Sequence, residues 1–224
     1  MRLLALDTAG TRCSVALLLD DELRELDAPA ERLQAEHVLP MVERLLAEAG
    51  LTLKALDAIA FGRGPGAFTG LRVATSVAQG LAYGAGVPVV PVSDLEALAA
   101  AAVRVHGVER VMACLDARMH EVYWAAYRAR PEGLTAMTEE ALSPPSDVVA
   151  PDAGPWFGAG PGWAAYGETL QSQLPALAGI DPVLVPTAGD VARLGRLALQ
   201  RGAGLPPERA LPVYLRDKVA TPKA

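Results

Sequence analysis

A chain of 224 residues, 51% hydrophobic and 21% charged, has enough apolar side chains to bury a sizeable core and lies far from the composition of disordered polymers. Its formal charge of −6 is the wrong sign for a surface that grips a polyanion unaided, so any nucleic-acid contact belongs to a partner. No apolar run is long enough to cross a bilayer, and no basic segment leads an apolar one at the N-terminus, so the expected setting is cytoplasmic with no membrane association.

Leu3 to Leu6, closed by Asp7, and Cys13 to Leu19 are apolar runs joined by Thr8-Ala9-Gly10-Thr11-Arg12, which is the pattern of a hairpin. Asp20-Asp21 then turns the chain into a third strand at Leu23 to Leu26. Asp7, Gly10 and Thr11 have the make-up of a strand-end phosphate loop, although an aspartate at a strand end more often just forms the turn. From Leu33 to Ala49 the pattern becomes helical, with Met41, Val42, Leu45, Leu46 and Ala49 on one stripe and Gly50 as the stop. Pro40 either kinks this helix or marks its first turn.

Ala58 to Phe61 reads as a short buried strand, followed by the glycine-rich turn Gly62-Arg63-Gly64-Pro65-Gly66-Ala67-Phe68-Thr69-Gly70. Thr69 is the expected N-cap of a helix whose inner stripe is Leu71, Ala74, Val77, Ala78 and Leu81. A glycine loop before a helix can hold an anion, but the residues do not complete a nucleotide motif. No lysine lies between Lys54 and Lys218, which excludes a P-loop, and Thr69 stands where the dinucleotide fingerprint needs its third glycine. The plainer reading is a tight strand-to-helix turn whose glycines serve packing.

Val87 to Val92 is the next strand, and Ser93 caps a helix from Asp94 to Arg104 with Glu96 completing a capping box. Alternation of strand and helix gives the α/β class. Near His106-Gly107 the pattern restarts. Val111 to Leu115, Asp116, and Val122 to Tyr127 repeat the opening hairpin, so residues 1–105 and 106–224 read as two lobes of duplicated topology facing across a cleft. The second turn is shorter and has no glycine, and Arg118, Met119 and His120 fill the space a phosphate would need. Trp156-Phe157 followed by Gly158-Ala159-Gly160-Pro161-Gly162-Trp163 is a strand and a packing turn. The helix Val191 to Arg201 presents Leu194, Leu197 and Ala198 inward, Leu211 to Leu215 closes the fold, and 221–224 form a loose tail.

Catalytic chemistry is thinly represented. Cys13 and Cys114 lie in separate apolar runs and are expected as buried thiols, and no two of the three histidines share a helical turn, so neither a metal nor another cofactor is expected. Ser14 and Ser76 lack a nucleophile elbow, which removes the case for a peptidase. The one catalytic alternative is a stand-alone ATP-dependent enzyme in which Asp7 and Asp116, at equivalent strand ends, approach one another across the cleft.

Gly64-Pro65-Gly66-Ala67-Phe68-Thr69-Gly70-Leu71-Arg72 resembles the G-P-G-S-F-T-G-[LVI]-R motif of the TsaB/YeaZ family, with Ala67 at the usual serine. Leu6-Asp7-Thr8, His37-Val38-Leu39-Pro40, Ala78-Gln79-Gly80-Leu81-Ala82, Asp116-Ala117-Arg118-Met119 and Pro212-Val213-Tyr214-Leu215-Arg216 follow in that family's order. The resemblance implies an ASKHA (actin-like ATPase, RNase H-like) fold. It also implies a non-catalytic role in forming threonylcarbamoyladenosine beside the tRNA anticodon. The implied partners are a TsaD-type catalytic subunit and a TsaE-type ATPase, with tRNA met only through the complex and a homodimer formed when the chain is alone. The catalytic sibling carries an H-x-x-x-H metal motif, whereas here His37 is followed four residues later by Met41. Val38, Met41, Val73, Ser76, Gln79, Gly80 and Tyr83, on the outer sides of the two first-lobe helices, are the expected partner interface.

Overall fold

The computed structural model describes residues 1–29, 34–174 and 176–216. Two mixed sheets are each built from a hairpin-led meander extended by parallel strands. In the first, β1 (Arg2–Asp7), β2 (Arg12–Leu19) and β3 (Glu22–Pro29) are antiparallel, and β4 (Ala58–Gly62) and β5 (Val89–Val92) add parallel to β1, giving the order β3-β2-β1-β4-β5. The second repeats that order. In it, β6 (Arg110–Asp116), β7 (Val122–Arg130) and β8 (Gly133–Ala136) form the meander, β9 (Ala141–Ser143) pairs with β7, and β10 (Trp156–Ala159) and β11 (Leu177–Asp181) add parallel to β6. This duplicated topology is that of the ASKHA fold.

The helices are α1 (Gln34–Glu48), α2 (Phe68–Ala85), α3 (Asp94–His106), α4 (Pro161–Gln173) and α5 (Ala188–Gln200). On one face of the first sheet, α1 and α2 cover Leu4, Leu6, Val15, Leu17, Ile59 and Phe61. The other helices cross over. Leu95, Leu98, Ala99 and Ala102 of α3, which follows the first sheet, pack on Val111, Ala113 and Ala125 of the second. Val191, Ala192 and Leu194 of α5, which follows the second sheet, pack on Leu3, Ala5 and Ala16 of the first. Each repeat therefore buries its last helix against the other, so the apolar faces that join the lobes are core rather than a separable interface.

Local chemistry explains most element ends, with some departures from the sequence expectations. α1 ends where Gly50 takes φ +64°, and Pro40 lies inside this helix rather than at its start. The N-cap of α2 is Ala67, not Thr69, which lies within the first helical turn. The Ser93 hydroxyl does cap α3 by accepting from the Glu96 amide at 3.2 Å, and Gly107 ends that helix at φ +65°. The inner face of α5 is Val191, Ala192, Leu194 and Gly195 rather than Leu197, because an added Cβ at Gly195 would stand 2.7 Å from that of Ala60. Part of the expected first helix (residue 33) and the expected loose tail (221–224) lie outside the described residues.

Candidate functional site

The C-terminal ends of β1, β4 and β5 lie side by side, because these strands are parallel neighbours. The turns that leave them, with the turn between β6 and β7, line a cavity of about 430 Å³ between the lobes. This is where an open α/β sheet places ligands in general.

The glycine-rich turn is pressed against the first hairpin turn. Thr8 Oγ1 donates to the Gly70 carbonyl at 2.6 Å and the Ala67 amide donates to the Ala9 carbonyl at 2.8 Å. A Cβ on Gly66 would sit 2.7 Å from Ala9 O, and one on Gly70 would sit 2.8 Å from the Thr8 carbonyl carbon. Gly64, at φ +107°, faces the Val213 carbonyl in the same way, at 2.8 Å. These glycines admit backbone from neighbouring turns. The carbonyl oxygens that fill the space carry the same sign of charge as a phosphate, and Ala67 has already committed its amide. Gly10 and Thr11 are exposed at the rim of the cavity and Asp7 is buried beneath it, so these three do not form one cradle.

In the second lobe, Arg118, Met119 and His120 take φ of 61°, 57° and 61°, three successive left-handed residues of which none is glycine. Each costs about 1–2 kcal/mol, and the turn persists because neighbours hold it. Asp116 Oδ1 accepts from the Arg118 amide at 2.8 Å, and Arg216 Nη2 donates to the Ala117 carbonyl at 3.0 Å. Arg216 also pairs with Glu121 at 2.6 Å. Arg216 lies on a strap that also touches the first lobe, where the Val213 amide donates to Arg63 O at 2.7 Å and Tyr214 packs on Phe68 with centroids 5.4 Å apart. The strap thus joins the start of α2 to the second-lobe turn.

Asp7 does not face Asp116 across the cleft. Asp116 is held in its own turn by Arg118, with Nη1 to Oδ2 at 3.0 Å, while the partner of Asp7 is Asp94 at the start of α3. Both are buried, at 2% and 1% exposure. Asp7 Oδ1 accepts from the Ala9 amide at 2.9 Å and Asp94 Oδ2 from the Gly64 amide at 2.5 Å, and the two carboxyls flank the bare Cα of Gly62. Burial pushes Asp7 up to about 6. Burial, with the adjacent Asp7 charge, raises Asp94 well above the usual carboxylate range. Nothing local in Ser93-Asp94 marks this role, since an acid in the first helical turn is commonplace. The usable signal is the neighbouring placement of the three strand ends.

The expected interface residues divide. Val38 is fully buried in the core under α1, so it cannot serve as surface: its position on the helix faces the sheet with Val42 and Leu45. Met41 and Val73 are half-buried against that core, and Gln79 donates to the Pro207 carbonyl at 3.1 Å. Ser76, Gly80 and Tyr83 are exposed on the outer face of α2, joined there by Gly84, which the sequence reading did not include. Tyr83 is 80% exposed and space beyond both glycines is open. Leu39, at 45% exposure, adds an apolar side chain on α1. Among the described residues no helix is long and apolar enough to cross a membrane.

Residues 28–220 match the family model described as TsaD, tRNA N6-adenosine threonylcarbamoyltransferase. The chain is 38% identical to a Haemophilus influenzae protein named tRNA threonylcarbamoyladenosine biosynthesis protein TsaB, over 100% of this chain and 97% of that one. It is 39% identical to the Escherichia coli protein of the same name, over 100% and 98%. Among solved structures, YeaZ from Pseudomonas aeruginosa superposes with a TM-score of 0.90 at 49% identity, covering 96% of this chain and 99% of that one. A second structure, titled as an uncharacterized protein with similarity to peptidase YEAZ from the same organism, gives a TM-score of 0.91.

Proposed function

The chain belongs to the TsaB/YeaZ family and to the making of threonylcarbamoyladenosine in tRNA, and from that premise we propose that it is a non-catalytic subunit. It docks onto a TsaD-type enzyme through the outer face of α2 and the adjoining side of α1, with a TsaE-type ATPase completing the assembly. The complex meets tRNA, since a chain of charge −6 is poorly suited to do so alone. The setting is the cytoplasm. In the absence of the partner, the same face pairs two copies of the chain.

The observation that carries this reading is the outer face of α2. A tyrosine that is 80% exposed projects beside Gly80 and Gly84, glycines with open space beyond them. Gly80, inside α2, costs about 1 kcal/mol relative to alanine, and among the described residues nothing lies within 4 Å of a Cβ added there. A bare stretch of helix backbone next to an exposed aromatic suits close approach by another helix. Against the stand-alone ATP-dependent enzyme stand the buried, acid-paired Asp7, the separately held Asp116 and the filled glycine turn. Peptidase chemistry is no better supplied. Ser14 Oγ accepts from the Ala188 amide at 2.8 Å and His106 is joined to Asp181 at 2.8 Å, so neither belongs to a nucleophile–base pair.

The test is co-purification with the TsaD-type subunit. Tyr83→Glu, at an exposed side chain, is expected to weaken the complex at least tenfold while leaving the fold intact, and unchanged binding by that variant refutes the placement. A rise in melting temperature on adding ATP and magnesium to the isolated chain favours the enzyme reading instead.

A further inference from the structure

We propose that the joint beneath the inter-lobe cavity is held by a single proton shared between Asp7 and Asp94 across the side-chain gap at Gly62. The geometry is built for it. β4 lies between β1 and β5, so a side chain at the end of β4 would normally stand between Asp7, which ends β1, and Asp94, two residues beyond the end of β5. Here the middle residue is Gly62, and a Cβ at that point would stand 2.8 Å from Asp94 Oδ1 and 3.3 Å from Asp7 Oδ1. The missing side chain is what lets the carboxyls meet.

The cation that faces the pair, Arg63, is already engaged by another carboxylate. Facing the pair are Cys13 on β2, Glu25 on β3, Asp190 on α5 and Arg63 after β4. Arg63 is engaged by Glu140 at 3.0 Å, Asp190 is paired with Arg104 at 3.0 Å, and Glu25 accepts from the Gly189 amide at 2.8 Å. Two anions in so dry a place repel strongly, while one proton between them turns repulsion into a hydrogen bond. Asp94 Oδ1, which has no N–H or hydroxyl partner among the described residues, is the atom left to carry or receive that proton. Asp7 Oδ1 holds the Ala9 amide and Asp94 Oδ2 the Gly64 amide, so the proton fastens the hairpin turn to the glycine turn. Asp94 also lines the cavity, which makes the first-lobe wall of the cavity sensitive to protonation.

Carbon-13 titration of aspartate-labelled protein reads the pair directly. The expected result is one carboxyl ionising in the mildly acidic range and a second still protonated at pH 8, with that second step absent from Asp94→Asn. Amide exchange supplies the mechanical test. Asp94→Asn keeps an N–H for Asp7 and a carbonyl for Gly64, so protection of the Ala9 and Gly64 amides stays within threefold of wild type at pH 7. Gly62→Ala, which parts the carboxyls, lowers it at least tenfold. Both carboxyls ionised at pH 8 in the wild type overturns the proposal, as does an Asp94→Asn variant that loses tenfold protection at these amides. The wild-type titration decides the matter even if Gly62→Ala does not fold.

Discussion

Replacing Gly70 by alanine isolates the contact on which the first lobe turns. The new methyl would lie 2.8 Å from the Thr8 carbonyl carbon and 3.2 Å from the Ala9 Cα, both of them backbone, which cannot swing aside as a side-chain tip can. Relief requires α2 to withdraw from the hairpin turn. That breaks the 2.6 Å bond from Thr8 Oγ1 to Gly70 O and strands a buried hydroxyl, since Thr8 is fully buried. The lost bond costs about 1–3 kcal/mol and the overpacking about as much again. Helix propensity returns only about 1 kcal/mol. The expected net loss is about 1–5 kcal/mol, or roughly 2–20 °C in melting temperature for a chain of this size. Gly80→Ala, on the same helix with nothing within 4 Å, is the control. It should gain up to about 1 kcal/mol in the isolated chain. Urea unfolding followed by circular dichroism measures both. A Gly70→Ala variant within about 0.5 kcal/mol of wild type refutes the close-packed joint, because a movable neighbour would then have absorbed the methyl.

Asp7, raised by burial to about 6, binds its proton more tightly in the native than in the unfolded state. Its contribution to stability is therefore full below about pH 4 and is lost as pH rises through about 6, to the extent of about 3 kcal/mol. Asp7→Asn should flatten that part of the pH profile and be the more stable protein at pH 8; an unaltered profile in urea unfolding contradicts the assignment. Val38→Glu places a carboxylate in a fully buried site and should cost more than about 3 kcal/mol, unlike Tyr83→Glu, so thermal melts of the two separate core from surface on the partner-facing helices. Arg216→Ala removes the pair with Glu121 and the bond to Ala117 O, and about 1–3 kcal/mol with them. Exchange of the Val213 amide, now bonded to Arg63 O, should quicken in that variant, and an unchanged rate would mean the strap is held elsewhere.

Much of this fold is written locally. The runs at Leu3 to Leu6 and Cys13 to Leu19, the stripe on α2, and the serine before α3 each specify an element through contacts a few residues apart, and the second meander is recognisable because it repeats the first. The sequence likewise carries the family, through motifs spread along the whole chain. α4 and β11 escaped notice because their apolar residues follow no clean period, and Gly160, Gly162 and Gly179 look like turn formers when read alone.

Tertiary structure alone decided the use of the site. Asp7 is 87 positions from its partner, and the sequence pattern pointed instead to Asp116, at the equivalent strand end of the repeat. Only strand order puts the ends of β1, β4 and β5 in a row, and only a side chain missing at Gly62 lets the outer two touch. The same holds for Val38, whose residue type and helix position left both faces open until the sheet beneath chose one. Helical periodicity records that a stripe is apolar, whereas burial by the neighbouring layer, a contact between residues remote in sequence, determines what the stripe is for.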